Sequence, residues 1–304
     1  MNAIVGTLAA APETPDDIDL AGLVVTRLGP VLGAEISGID LRQPPSPAEA
    51  KALRALWVRH KVLVFRDQDL THEQHIAFTR LFGDLEGHPV TQHVPGHPEV
   101  LIISSDEIKK FVPTADVLSF YKTLNKWHAD VTFREKPSLG AALRSRVLPP
   151  LGGDTIFADA VAVYEALPAD VKARIEHLEA EHDILKSFGF RVSEEKRAAL
   201  AAEYPPRLHP VVPRHPETGE KLLFVNSAFT NRIVGLPEQE AEDLLKYLLE
   251  QFKVPEHQVR IRWGINSIVL WDNRATQHYA VGDYWPEERI LERVTLAGET
   301  IPAR

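Results

Sequence analysis

His128 and Asp130 are separated only by Ala129 in the stretch Trp127-His128-Ala129-Asp130. Strand side chains alternate with period 2, so on a strand this imidazole and this carboxylate share a face. A further candidate, His278, closes the run Trp271-Asp272-Asn273-Arg274-Ala275-Thr276-Gln277-His278. Two imidazole nitrogens and one carboxylate oxygen on one side of a metal leave the opposite positions open, the facial arrangement that suits Fe(II). His128-x-Asp130 is the only His-x-Asp pair in the chain. The pairs His97-Pro98-Glu99 and His215-Pro216-Glu217 contain proline and read as turns, which makes them poor ligands for a shared metal. Taken alone, His128 also fits a plainer role, a core histidine hydrogen-bonded to Asp130.

The elements that must carry these residues are mostly short strands. Residues 24–28 alternate like a strand, 36–41 read as a second, and 62–65 as a buried run. Ser46-Pro47-Ala48-Glu49 places Ser at the N-cap, Pro at N1 and Glu at N3, a capping box opening a helix with Leu53, Leu56 and Trp57 on its apolar stripe. Thr71-His72-Glu73-Gln74 opens a second helix, on which His72 and His75 read as solvated or capping residues. A strand at 100–103 precedes an aperiodic stretch, 106–126, whose length suggests a binding loop or lid. The His-x-Asp segment reads as the next strand. Gly152-Gly153-Asp154-Thr155 then turns into 156–158, and short helices follow at 160–167 and 169–178. Pro216-Glu217-Thr218-Gly219 is a hairpin turn between 211–212 and 222–225. A polar helix at 193–203 and a strongly amphipathic one at 237–252 are followed by strands at 259–263, 267–271 and 291–296.

This is a mainly β pattern with helical cover (α+β), which predicts a β-sandwich or jelly roll. Neither GxGxxG nor GxxxxGK occurs, so nothing marks a nucleotide-binding scaffold. Residues 1–22 read as a disordered leader and 23–304 as a single domain. The formal net charge of -9 argues against a nucleic-acid partner. No apolar run approaches the roughly 20 residues needed to span a bilayer, so no membrane partner is expected. The chain has no cysteine, which excludes disulfides, thiolate zinc sites, Fe–S clusters and cysteine nucleophiles. A cytoplasmic location is the simplest expectation.

Beyond His278, Arg289 and Arg293 fall on one face of the next strand, about 13 Å apart at the usual rise. Arginines are rarely buried without a partner, so two inward-facing ones imply anions, with guanidinium–carboxylate pairing their natural use. On an edge strand the same pair would simply be solvated.

Together, His128-Ala129-Asp130, Gly152-Gly153-Asp154-Thr155, the run from Trp271 to His278, Arg289 and Arg293 resemble the taurine dioxygenase (TauD/TfdA) family of Fe(II)/2-oxoglutarate-dependent oxygenases. The likeness extends over nearly the whole chain from about Leu23, through Phe82-Gly83-Asp84-Leu85, His88-Pro89-Val90 and Leu223-Phe224-Val225-Asn226. It implies a double-stranded β-helix, a jelly roll with helical inserts. It implies that His128, Asp130 and His278 bind Fe(II). Arg289, eleven residues after His278, and Thr155 would hold the distal carboxylate of 2-oxoglutarate, leaving one position for O2. Arg293, His88 and the backbone at Val131 match positions that hold a substrate sulfonate, and Phe188 and Phe229 match aromatic walls.

Two positions depart from the family pattern. Thr91 stands where a Tyr is expected and Leu124 where an Asn is expected, both facing the amine end of taurine. The expectation is therefore a retained anion grip and a lost ammonium grip, on a small anionic organic substrate. A sulfonate is the leading reading, and a sulfate ester or aryloxyalkanoate is the alternative within the class. Outside it stand a non-catalytic jelly-roll binding protein and a metal-free hydrolase. The resemblance also implies a homo-oligomer, a dimer or tetramer.

Overall fold

The apolar alternation of the strands is explained by what lies on each side of one large sheet. The computed structural model describes residues 18–87, 92–105, 125–189 and 192–304. Its strands begin with β1 (Val24–Arg27), β2 (Ala34–Ser37), β3 (Val62–Phe65), β4 (Leu85–Glu86), β5 (His93–Val94) and β6 (His97–Ser104). The next are β7 (Gly140–Val147), β8 (Thr155–Asp159), β9 (Glu179–His182), β10 (Arg207–Pro210) and β11 (Thr230–Val234). The last are β12 (Gln258–Ile261), β13 (Ile268–Asp272), β14 (Thr276–Ala280) and β15 (Ile290–Leu296). Among the described residues nine strands form a sheet in the order β1-β2-β3-β13-β7-β15-β6-β5, with β4 also on β15. A smaller sheet, β12-β8-β14, faces it.

Odd and even residues of the large sheet go to different cores. Val62, Val64, Ala141, Leu143, Val269, Trp271 and Leu291 point inward against Phe157, Val259 and Ile261 of the small sheet. Leu63, Phe65, Ala142, Ile268 and Leu270 point outward, under helices α1 (Pro47–His60) and α2 (His72–Arg80). Both helices start with the capping boxes that their sequences imply, Ser46 with Glu49 and Thr71 with Gln74. The outer face of the small sheet is covered by α3 (Ala160–Ala166), α4 (Ala169–Ile175) and the amphipathic α7 (Glu238–Gln251), whose Leu244, Leu245 and Leu248 join the third core. Two further helices, α5 (Leu185–Phe188) and α6 (Glu194–Glu203), lie between them in the sequence. The architecture is a jelly roll with helical cover. No described helix is long and apolar enough to cross a membrane.

Several local expectations are corrected. The His-x-Asp segment is not a strand: His128 makes an isolated antiparallel bridge to His278, and a turn begins at Asp130. His75 is not solvated, because α2 turns it onto β7, where its Nε2 lies 3.1 Å from the Ala142 carbonyl in full burial. His72 lies 3.0 Å from Glu292. His97 sits in β6, not in a turn. A third sheet, β10-β9-β11, includes Glu-Ala-Glu-His at 179–182, a run too polar to read as a strand. Ile18, Leu20 and Ala21, assigned above to a leader, pack against the core under α1. The expected turn at 216–219 does join paired segments, with Leu222 donating to Pro213 (3.1 Å) and Phe224 to Val211 (2.8 Å).

Candidate metal centre

The strands bring His128 to His278 through the backbone. The His128 amide donates to the His278 carbonyl (3.1 Å), and the His278 amide donates back (2.8 Å). This one reciprocal pair sets the two rings 4.1 Å apart, centroid to centroid. Asp130 joins them, its Oδ1 3.8 Å from His128 Nε2. One donor atom from each of His128, Asp130 and His278 lies within 4.8 Å of the others, so the three can converge on one ion.

The protonation states suit a divalent cation. His128 Nδ1 sits 2.7 Å from the Lys126 carbonyl. A carbonyl can only accept, so Nδ1 is the protonated nitrogen of the neutral tautomer, in which Nε2 faces Asp130 as the donor atom for a metal. Burial, with the His128 ring beside it, pushes His278 down to about 3, so it is neutral at physiological pH. Asp130 supplies the anionic oxygen. Two imidazole nitrogens and one carboxylate oxygen are a donor set for Fe(II), and the three residues fit that ion.

Asp130 is also held from the opposite side. Arg293 Nη1 donates to its Oδ1 (3.1 Å) and Oδ2 (3.0 Å), and both side chains are buried. The next residue, Val131, has φ +46°, a left-handed conformation that costs a β-branched residue on the order of 1–3 kcal/mol. The side chain of Asn273 bonds the Asp130 backbone at both its amide and its carbonyl. Asn273 sits in the turn between β13 and β14, where Asp272 accepts from Arg274 and His215. Burial alone would raise the Asp272 carboxyl, but Arg274 and His215 overcome it and hold it below the usual carboxylate range.

Thr155 and Phe157 share a face of β8, and β14 pairs His278 with Phe157 and Ala280 with Thr155. Thr155 therefore lies on the same side of the small sheet as His278. Its hydroxyl accepts from the Trp263 indole (3.1 Å), which directs its own proton elsewhere. Arg289 is buried, its guanidinium 5.6 Å from the Tyr284 ring centre. It packs on Gly153 so closely that a Cβ there would come 3.0 Å from Arg289 Cδ, and Gly153 has φ +71°, so a glycine suits both demands.

Val131 and Phe229 are buried in one apolar cluster, with Phe188 packed against it. The Phe188 and Phe229 rings stack at 6.3 Å. Asn226 Oδ1 accepts from the Phe229 amide (2.8 Å) and its Nδ2 donates to Thr132 Oγ1 (2.9 Å), tying this wall to the turn after Asp130. His88, Thr91 and Leu124 lie outside the described residues, as does most of the expected 106–126 loop.

The structure thus gathers His128, Asp130, His278 and Arg293 by direct contact, and places Arg289 against the Gly-Gly turn that leads to Thr155. Asn273, Asn226 and Thr132 were not singled out from sequence. The one available signal was the polar run Asp272-Asn273-Arg274 between apolar strands, which spacing alone does not connect to Asp130. A cavity of about 390 Å³ is lined by Pro213, His215, Leu222, Asn273, Arg274 and Ile301 among others, and none of the three ligand candidates lines it.

The chain is similar to known proteins over nearly its whole length. The family model "Taurine catabolism dioxygenase TauD, TfdA family" matches residues 25–295. An alpha-ketoglutarate-dependent 2,4-dichlorophenoxyacetate dioxygenase from Cupriavidus pinatubonensis is 36% identical, over 92% of this chain and 99% of its own. An alkylsulfatase from Acinetobacter baylyi is 34% identical, over 88% of this chain and 83% of its own. A solved structure described as a putative alpha-ketoglutarate-dependent taurine dioxygenase from Burkholderia xenovorans superposes with a TM-score of 0.77 at 37% identity, covering 92% of this chain and 91% of that one.

Proposed function

The chain belongs to the TauD/TfdA family of 2-oxoglutarate-dependent dioxygenases, and from that premise we propose that it hydroxylates a small organic anion. The observation that carries this reading is the cluster of His128, Asp130 and His278 beside a buried guanidinium, that of Arg293. Fe(II) held by the three ligands, with 2-oxoglutarate and O2, supplies the chemistry that hydroxylates a C–H bond while 2-oxoglutarate becomes succinate and CO2.

The chain's own residues bind and orient. Arg289, with the Thr155 hydroxyl, holds the far carboxylate of 2-oxoglutarate through charge-assisted hydrogen bonds. Arg293 draws the substrate anion to the side of Asp130. The apolar wall of Phe188 and Phe229 receives the substrate's carbon skeleton and excludes water from it. A cytoplasmic location and a homo-oligomeric assembly belong to the same reading, the first supported by the cysteine-free sequence and the second by the family resemblance.

The leading substrate class is a sulfonate whose hydroxylated carbon bears the sulfur, so that the product collapses to an aldehyde and sulfite. The similarity to an alkylsulfatase favours a second reading, a sulfate ester. Hydroxylation next to the ester oxygen would then release an aldehyde and sulfate. The test is a panel of taurine, hexanesulfonate, hexyl sulfate and an aryloxyacetate, incubated with Fe(II), 2-oxoglutarate and O2. Succinate, sulfite and sulfate are all measured. Anion-dependent succinate formation is expected, with turnover of the longer-tailed anions exceeding that of taurine. No anion-stimulated succinate, or turnover without O2, would overturn the reading.

A further inference from the structure

The turn that precedes His278 does more than connect two strands. Asn273 is buried there, and every polar atom of its side chain is engaged on the segment that carries Asp130. Its Oδ1 accepts from the Asp130 amide at 2.6 Å. Its Nδ2 donates to the Asp130 carbonyl at 3.0 Å and to the Ser138 carbonyl at 3.0 Å, with Ser138 Oγ at 3.3 Å. The amide orientation follows from these partners, since a backbone N–H can only donate and a carbonyl can only accept.

Both backbone polar groups of a metal-ligating residue are thus bonded to one side chain. That residue lies outside any regular strand: His128 is an isolated bridge and Asp130 opens a turn. No ladder of hydrogen bonds holds its Cα in place. The following residue, Val131, is in the left-handed region, a conformation the chain would leave if released. Asn273 itself is anchored, its amide donating to the Leu139 carbonyl at 3.1 Å, and it adjoins Asp272, whose amide donates to the Lys61 carbonyl and whose carboxylate accepts from Arg274 and His215.

Resting on the metal-centre reading above, we infer that Asn273 is a positioning residue for the metal: it sets the place of the Asp130 carboxylate relative to the two imidazoles. The run from Trp271 to His278 then organises the whole ligand set. His278 is one ligand, its backbone fixes His128, and Asn273 fixes Asp130. A ligand held by a poorer scaffold binds the ion less tightly even when its own side chain is unchanged.

The experiment titrates Mn(II) alone into the wild-type protein, Asn273→Asp, Asn273→Ala and His215→Gln, following free and bound Mn(II) by electron paramagnetic resonance. Asn273→Asp keeps the size and the acceptor but loses both donors. His215→Gln disturbs the same turn through Asp272 without touching Asp130. Circular dichroism and thermal melts accompany each titration. Both Asn273 variants are expected to fold and to bind Mn(II) about 10–100-fold more weakly, with an altered bound-Mn(II) spectrum. His215→Gln is expected to melt at lower temperature and to bind Mn(II) as the wild type does. Wild-type affinity in folded Asn273 variants would overturn the inference, and so would an equal loss in His215→Gln. Failure of both Asn273 variants to fold, even with excess Mn(II), would make the residue purely structural and overturn it too. If the wild type itself binds no Mn(II), the metal-centre reading fails first.

Discussion

Arg293 Nη1 lies 3.1 Å and 3.0 Å from the two carboxylate oxygens of Asp130. An arginine matched by resemblance to a substrate anion therefore also touches a candidate metal ligand. A carboxylate that serves a cation on one side and a guanidinium on the other couples metal binding to whatever else the arginine holds.

Arg293→Gln is accordingly expected to act on two ligands at once. Losing charge-assisted hydrogen bonds costs about 1.5–3 kcal/mol, or roughly 10–100-fold in affinity. The apparent KM for the organic anion should rise by that factor, and Fe(II) should be retained less well, while the 2-oxoglutarate requirement changes little. Steady-state succinate formation with each component varied in turn checks this. An effect confined to 2-oxoglutarate would remove the substrate role.

Arg289→Ala should do the reverse, raising the 2-oxoglutarate requirement roughly 10–100-fold through the same kind of lost pairing. The substrate KM should move far less. Equal effects of Arg289→Ala and Arg293→Ala on the 2-oxoglutarate requirement would show that the two guanidiniums do not have separate tasks.

Removing a ligand should abolish succinate formation, and the choice of ligand matters. Asp130→Ala strands Arg293 as a buried charge without its carboxylate, which typically costs about 3–5 kcal/mol, so that variant confounds stability with metal loss. His128→Ala leaves no such charge. It should melt near the wild-type temperature and form no succinate with added Fe(II). In the wild type, a chelator should abolish activity and Fe(II) should restore it. Near-normal activity of His128→Ala would sink the ligand assignment.

Stability should fall on mild acidification because buried histidines are kept neutral. Burial pushes His75 down to about 3 and His60 to about 4, from 6.5. Between pH 6.5 and about 4 the unfolded chain binds more protons than the folded one, so stability is complete above pH 6.5 and lost as the pH falls. Each histidine contributes about 1.4 kcal/mol per pH unit in that window. His75 and His60 together make denaturant melts at pH 7.5 and 5.5 differ by about 3 kcal/mol, to which His278 and His182, lowered in the same direction by burial, add, and the difference should shrink in His75→Leu. A flat profile would show that the two rings are not held neutral.

Much of this protein was legible in its residues. The inner and outer cores follow the period-2 alternation of β3, β7 and β13, since adjacent strand side chains must leave on opposite faces. Capping boxes announce α1 and α2 because Ser46 and Thr71 satisfy amides that no helical carbonyl reaches. The ligand candidates were visible through their chemistry, and the Gly152-Gly153 turn through its backbone freedom. Other features were decided only by tertiary structure. His75 is buried and β9 is a strand because other elements lie against them, whereas their local sequences are polar. The His-x-Asp segment escapes the strand period that first suggested it. Its two side chains converge because His128 pairs with His278 and Asn273 grips Asp130, contacts made across the fold. Spacing reports which residues could act together, but only the packed chain decides that Asp130 faces Arg293 and rests on Asn273.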